Sequence, residues 1–397
     1  MDDTYKERLW TKDFIFTSVS NLILMLSLYL LLVTMATYAM DTYDASVSMG
    51  GFVSSIFIIG ALFGRLYGGK KIAVIGNKKM LLIGTVSVLV ATTLYFLPLG
   101  LYPLMVLRFL HGLAMGLATT ATSTIVSQII PTSRSGEGIG YFSMSVVMAT
   151  AIGPLIGVML LTQFGFNSIF LFSLIMAALS LLLSLSLQPP EVKVEAGRKG
   201  FRITDYFEAR ALPISIAMFV LALAYSGILS FVTEYAAEID LVEAGSFFFL
   251  VYGLSVLLSR PFTGRLMDQR GANIVVYPAL VSFAAGMLML SQSFAGWMFL
   301  AAAVLMGLGY GNFQSIAQAL AIKLTPHHRM GLANSTYFIA LDLGLGLGPL
   351  MLGYIVPVSG YRGMYMVLVA VILAGIGIYH FMHGRRDGAV AVGRNRA

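Results

Sequence analysis

Apolar runs of about membrane-spanning length, separated by short polar loops, recur along the whole 397-residue chain. A helix crossing the hydrocarbon core of a bilayer needs roughly 20 mostly apolar residues. By that measure the pattern predicts spans over about 14–38, 49–68, 80–98, 103–128, 139–162, 166–187, 211–235, 244–264, 275–293, 297–322, 333–357 and 362–383. The stretch 188–210 is the only long polar segment, and it predicts a linker. The expected architecture is an all-α membrane protein with twelve transmembrane helices in two six-helix repeats. Residues 1–187 form the N-terminal half, 188–210 the linker, and 211–397 the C-terminal half with a short basic tail.

The two halves share one skeleton. Gly153-Pro154 returns as Gly348-Pro349, 195 residues later. The same offset relates Arg65 to Arg260, Gly69 to Gly264, Gly76 to Gly271, Gly112 to Gly307, Gly116 to Gly311, Pro131 to Pro326, Arg134 to Arg329 and Gly136 to Gly331. No gap is needed, so the chain reads as a duplicated membrane module. Such modules place a substrate site at the interface of the repeats.

Composition narrows this further. The chain is 58% hydrophobic and 11% charged, where soluble domains carry about 25% charged residues. It has no cysteine, which excludes disulfides, thiolate metal sites and cysteine catalysis. Net charge is +7, and in a membrane protein that excess speaks of topology rather than nucleic acid. Lys6, Arg8 and Lys12, then Lys70, Lys71, Lys78 and Lys79, then Arg134, the linker's Lys193, Arg198, Lys199, Arg202 and Arg210, then Arg270, Lys323 and Arg329, and the tail's Arg385, Arg386, Arg394 and Arg396 all fall on one side. Arg362 is the exception. Both termini and the linker are therefore expected in the cytoplasm. No cleavable signal peptide is evident. The expected setting is a bacterial plasma (inner) membrane, crossed by the chain many times.

The motifs give a resemblance. Gly264-Arg-Leu-Met-Asp268-Gln-Arg270-Gly271 resembles the loop signature of the major facilitator superfamily. The first-half counterpart keeps Gly69, Gly76, Lys78 and Lys79 but has Ala73 where the signature has aspartate. Leu104-Met-Val-Leu-Arg108-Phe-Leu-His111-Gly112 resembles the fourth-span motif. Gly140, Ala149, Gly153-Pro154 and Gly157 resemble the fifth-span motif of the family's drug/proton antiporters, with Ala149 and Val158 in place of two glycines. The resemblance implies a monomer, alternating access, a small-molecule substrate and a proton gradient in place of any cofactor. No GxxxxGK[ST] loop is present to bind ATP, and the paired His327-His328 make a poor metal site. Export in exchange for protons is the leading expectation. Import of a small polar solute is the alternative, and a membrane-embedded enzyme or receptor-like protein is less well supported.

Residues that break the repeat carry the candidate chemistry. Val147 stands opposite Asp342, and Ala303 opposite Arg108. A charge inside a span costs at least about 2.5–3.5 kcal/mol on insertion scales, which makes it a functional hypothesis. Asp342, deep in its span and without an evident partner, is the expected proton carrier. Arg108 and His111, one turn apart, are expected to tune that carrier or bind an anionic group, or else Arg108 snorkels to the interface. Asn21, Tyr225, Ser226, Asn312, Gln314 and Gln318 are cavity candidates, or else satisfy neighbouring helices. For gating, Asp268 is expected to pair with arginines or with a helix N-terminus. Arg65 and Arg260 are its candidate partners, or else snorkel to lipid phosphates, and Arg270 is expected in the same gate. Gly153-Pro154 and Gly348-Pro349 are the expected hinges and seal between halves.

Overall fold

The computed structural model describes residues 8–45, 47–98, 100–189 and 206–385. The expected basic positions Lys6, Lys193, Arg198, Lys199, Arg202, Arg386, Arg394 and Arg396 lie outside the described residues.

Among the described residues the chain is helical, with no strand. Its helices are α1 (Lys12–Tyr43), α2 (Val47–Ile75), α3 (Asn77–Leu94), α4 (Leu101–Ile129), α5 (Ser135–Phe164), α6 (Phe166–Ser186), α7 (Leu212–Glu238), α8 (Val242–Arg270), α9 (Asn273–Ser291), α10 (Gly296–Met306), α11 (Asn312–Lys323) and α12 (Met330–Tyr379). A π-helical turn, Gly307–Gly311, joins α10 to α11. Gly360, with φ 66° and ψ 176°, breaks α12 into two rods. Ten helical runs are long and apolar enough to cross a membrane. The first part of α12 and α3 are helical without meeting that measure. Lys78 and Lys79 open α3, and glycines and Asp342 dilute the first part of α12.

Local chemistry sets the helix ends. The Thr11 hydroxyl caps α1 by accepting the Phe14 N–H at 3.2 Å. Gly76, at φ 93°, turns α2 into α3, and Gly271, at φ 90°, turns α8 into α9. A side chain is strained at that φ, so the repeat keeps glycine at both corners.

Within each half, small residues set the helix separations. A Cβ on Gly112 or Gly116 would lie 2.0 Å from the Phe57 carbonyl oxygen or 2.3 Å from that of Ala61, both on α2. Gly60 and Gly64 meet the carbonyls of Phe109 and Leu113 on α4 as closely, at 2.1 and 2.2 Å. Two small-xxx-small faces thus lock α2 against α4. Between the halves, α2 packs on the first part of α12, and the start of α5 on the end of α8. Both seams lie at the end of the bundle where the linker leaves α6 and enters α7.

Candidate functional site

At mid-depth in the bundle an arginine and an aspartate meet across the seam. Asp342 lies twelve residues beyond the start of α12, about 18 Å along its axis. Arg65 lies ten residues before the end of α2, about 15 Å from the same face. Arg65 Nε stands 2.7 Å from Asp342 Oδ2, with side-chain exposures of 7% and 18%. The Phe338 ring covers the guanidinium at 4.6 Å, and Ser335 donates its hydroxyl to the Arg65 carbonyl at 2.7 Å. Tyr29, Tyr310 and Tyr337 are electrostatic neighbours of Asp342. Arg65 Nη1 and the Tyr310 hydroxyl are buried with no hydrogen-bond partner among the described residues. Asp342 is thus paired rather than solitary, and its partner is an arginine expected at the loop gate. A charge this far inside the bundle is costly to desolvate, and an opposite charge at hydrogen-bond distance offsets that cost.

Nearer the linker end, α8 closes on α5. Asp268 accepts the backbone N–H groups of Gly136 at 2.8 Å and Glu137 at 3.0 Å, in the first turn of α5. The unpaired N–H groups and partial positive charge of a helix start suit a carboxylate. The buried Glu137 carboxylate takes Arg134 at 2.8 Å and Arg265 at 2.9 Å. Arg260 spans the seam, donating to the carbonyls of Gly140 at 3.1 Å and Gly311 at 2.9 Å. None of this fits with side chains at the crossing point. A Cβ on Gly264 would lie 2.7 Å from Glu137 Cα, and one on Gly136 2.8 Å from the Gly264 carbonyl oxygen. Arg270 is exposed at the end of α8 and takes no part.

Several expected groupings separate. Arg108 and His111 are fully buried within the N-terminal half and do not join Asp342. Arg108 donates to the Val53 carbonyl at 3.2 Å and lies 4.5 Å over the Phe57 ring, while Tyr95 and His111 Nδ1 are 2.9 Å apart. Asn21 is no open cavity group. It donates to Ser145 at 2.8 Å and accepts from Thr122 at 2.9 Å, tying α1 to α4 and α5. Asn312 donates to Ser259 at 2.8 Å and accepts from Thr263 at 2.9 Å, fastening α11 to α8. Ser226 is buried where α7 crosses α12. A Cβ on Gly348 would fall 1.8 Å from its hydroxyl. The two amides take partners on neighbouring helices, while the Ser226 hydroxyl donates back to the Leu223 carbonyl of its own helix at 2.7 Å.

Gln318 belongs to the seam. It donates to Asn334 at 3.1 Å, and Asn334 donates to Ser127 of α4 at 3.0 Å. The Gln314 carbonyl accepts from Tyr337 at 2.7 Å. Tyr225 stacks on Tyr310 with ring centroids 4.0 Å apart, and on Tyr252 at 5.5 Å. This aromatic stack borders the Arg65–Asp342 pair. Gly153 does not seal the halves either. A Cβ there would meet Tyr29 Cβ at 2.9 Å, so it sets the approach of α5 to α1 within one half. Pro154 sits inside a continuous α5, and Pro349 inside α12. Glu137 was legible by the criterion that singled out Asp342, since Leu332 stands opposite it in the repeat. Tyr29, Ser335 and Glu208 break no pattern, and only their contacts single them out.

A family model described as Major Facilitator Superfamily matches residues 17–272 and again 214–394. An uncharacterized MFS-type transporter of Methanocaldococcus jannaschii is 24% identical over 83% of this chain and 88% of its own length. The multidrug resistance protein MdtG of Enterobacter lignolyticus is 25% identical over 86% of this chain and 84% of its own. The crystal structure of the human organic anion transporter MFSD10 superposes with a TM-score of 0.79 at 14% identity. It covers 92% of this chain and 98% of that one.

Proposed function

The chain belongs to the Major Facilitator Superfamily, and on that premise we propose that it exports a small organic molecule in exchange for protons. That it is a multi-pass membrane transporter and not an enzyme follows from the family. The rest is our reading: twelve spans in two six-helix repeats, a bacterial inner membrane, a monomer, and the linker end in the cytoplasm. In that orientation the closed seams lie on the cytoplasmic side, and the described state faces outward. The relatives named for multidrug resistance and the glycine–proline pattern of α5 support export.

The observation that carries the coupling is the Arg65–Asp342 pair between the halves. Ionised, Asp342 holds α12 to α2 and keeps the cytoplasmic seam shut. A proton arriving from outside cancels that attraction, so separating the halves becomes easier. The seam then opens inward, the proton leaves toward the cytoplasm, and substrate enters beside the Tyr225–Tyr310 stack. Binding energy acts only through its difference between the two states. Arg108 and His111 keep the N-terminal half rigid in this scheme.

The test is proton release from detergent-purified protein on adding each of a panel of fluorescent amphiphilic dyes, wild type against Asp342→Asn. Wild type is expected to release protons with at least one dye, and the variant to bind that dye without release. Equal release from both proteins would place the proton on another group.

A further inference from the structure

The two seams are related by the repeat, yet only one has its loop aspartate. At α5–α8, Asp268 seizes the start of α5, and Arg265 and Arg134 converge on Glu137. In the repeat register the other seam has Ala73 for Asp268, Leu332 for Glu137, Lys70 for Arg265 and Arg329 for Arg134. Both carboxylates are gone and both cations remain. We propose that the end of the linker, Tyr206 to Glu208, supplies the missing half of this clamp, with Glu208 and Tyr206 as positioning residues of the cytoplasmic gate.

The geometry matches the deficit. Glu208 is buried, at 4% exposure. Its carboxylate forms an ion pair with Arg329, the cation left without its intra-repeat acid. Its backbone N–H donates to the Thr336 hydroxyl in the second turn of α12 at 2.9 Å. The linker end is thereby fastened to α12. Two residues earlier, the Tyr206 ring takes Lys70 of α2, whose Nζ lies 4.1 Å from the ring centroid. One short segment therefore ties α2 of one half to α12 of the other, where the duplicated seam uses a loop carboxylate. The seam beneath is tight. A Cβ on Gly331 would fall 2.4 Å from Ile72 Cγ2. Ala73 holds the place that Asp268 holds in the other seam, where the carboxylate meets the start of α5, so a carboxylate at 73 is expected to meet the start of α12.

The consequence is that the linker is part of the gate as well as a tether. This rests on the alternating-access reading but not on proton coupling, and seam opening is measured without transport. The chain has no cysteine, so Thr124→Cys gives a single reporter. Thr124 is buried on α4, with its hydroxyl 3.3 Å from where a Cβ on Gly331 would sit. Labelling of purified protein with a maleimide reads how often the seam opens. Glu208→Gln is expected to raise the labelling rate severalfold, as the buried carboxylate loses its charge toward the partly exposed Arg329. Tyr206→Leu is expected to raise it severalfold, since the ring face is what meets Lys70. Adding Ala73→Asp to either loosened variant is expected to restore slow labelling by rebuilding the loop latch. Tyr206→Leu keeps the test open should Glu208→Gln fail to fold. Unchanged labelling in a folded variant overturns the proposal. So does fast labelling that Ala73→Asp fails to slow, since a merely structural role for the segment predicts no rescue.

Discussion

Arg65 on α2 and Asp342 on α12 face each other at 2.7 Å across the seam between the halves. Their repeat counterparts, Arg260 and Val147, form no such pair. Arg260 instead donates to two backbone carbonyls, one in each half. One side of the pseudo-symmetric interface therefore holds a titratable lock and the other a permanent one. That asymmetry suits a carrier in which one proton decides whether the halves stay together.

The pair should show non-additive energetics. Removing one member of a buried pair typically costs about 3–5 kcal/mol, because the other charge is left stranded, while replacing both with apolar groups is far milder. Arg65→Met and Asp342→Leu are each expected to lower the Tm of the purified protein clearly, and the double variant to recover most of that loss. Additive losses would mean that the two charges do not interact in solution.

Asp268→Asn should separate turnover from affinity. The carboxylate holds two N–H groups at the start of α5 and lies away from the Tyr225–Tyr310 region. Hydrogen bonds to a charged group contribute about 1.5–3 kcal/mol, so losing the charge should slow cycling by roughly tenfold or more. Dye affinity should stay within about twofold of wild type, an energy difference well under 1 kcal/mol. Weakened affinity with normal turnover would remove Asp268 from the gate.

Gly264→Leu should hold the cytoplasmic seam open. Even a Cβ at this position would lie 2.7 Å from Glu137 Cα and 2.7 Å from the Gly136 carbonyl oxygen. Backbone on the opposing helix cannot yield as a side-chain tip can. The variant is expected to insert and remain folded, to label rapidly at Thr124→Cys, and to lose transport. Slow labelling with full transport would show that α8 and α5 never approach this closely during the cycle.

Much of the architecture was legible along the chain because its causes are local or repeated. Bilayer thickness sets the length of the apolar runs, and the glycine register shows the duplication without any fold. Gly76 and Gly271 mark the same tight corner twice. Asp268 could be placed at a helix start because a loop carboxylate beside a helix N-terminus has few other uses. The partners of the buried charges were not legible. In the sequence Arg65 reads as a gate arginine near the cytoplasmic end of its span and Asp342 as a solitary acid, because nothing in either neighbourhood names a residue in the other half. Asn21, Asn312 and Ser226 looked like cavity groups because polarity inside a span has two explanations that sequence cannot tell apart. Only the packed helices show that Ser145, Ser259 and the crossing of α12 already occupy them. Gly153 and Gly348 were visible as close-approach positions, but the helix approached is set by how six rods nest. Glu208 stands opposite Asp13 in the repeat, but that register does not say what either acid meets. The contacts of Glu208 exist only because folding brings the end of the linker against Arg329 and Thr336, at the seam where the repeat has Ala73 and Leu332 in place of the two carboxylates.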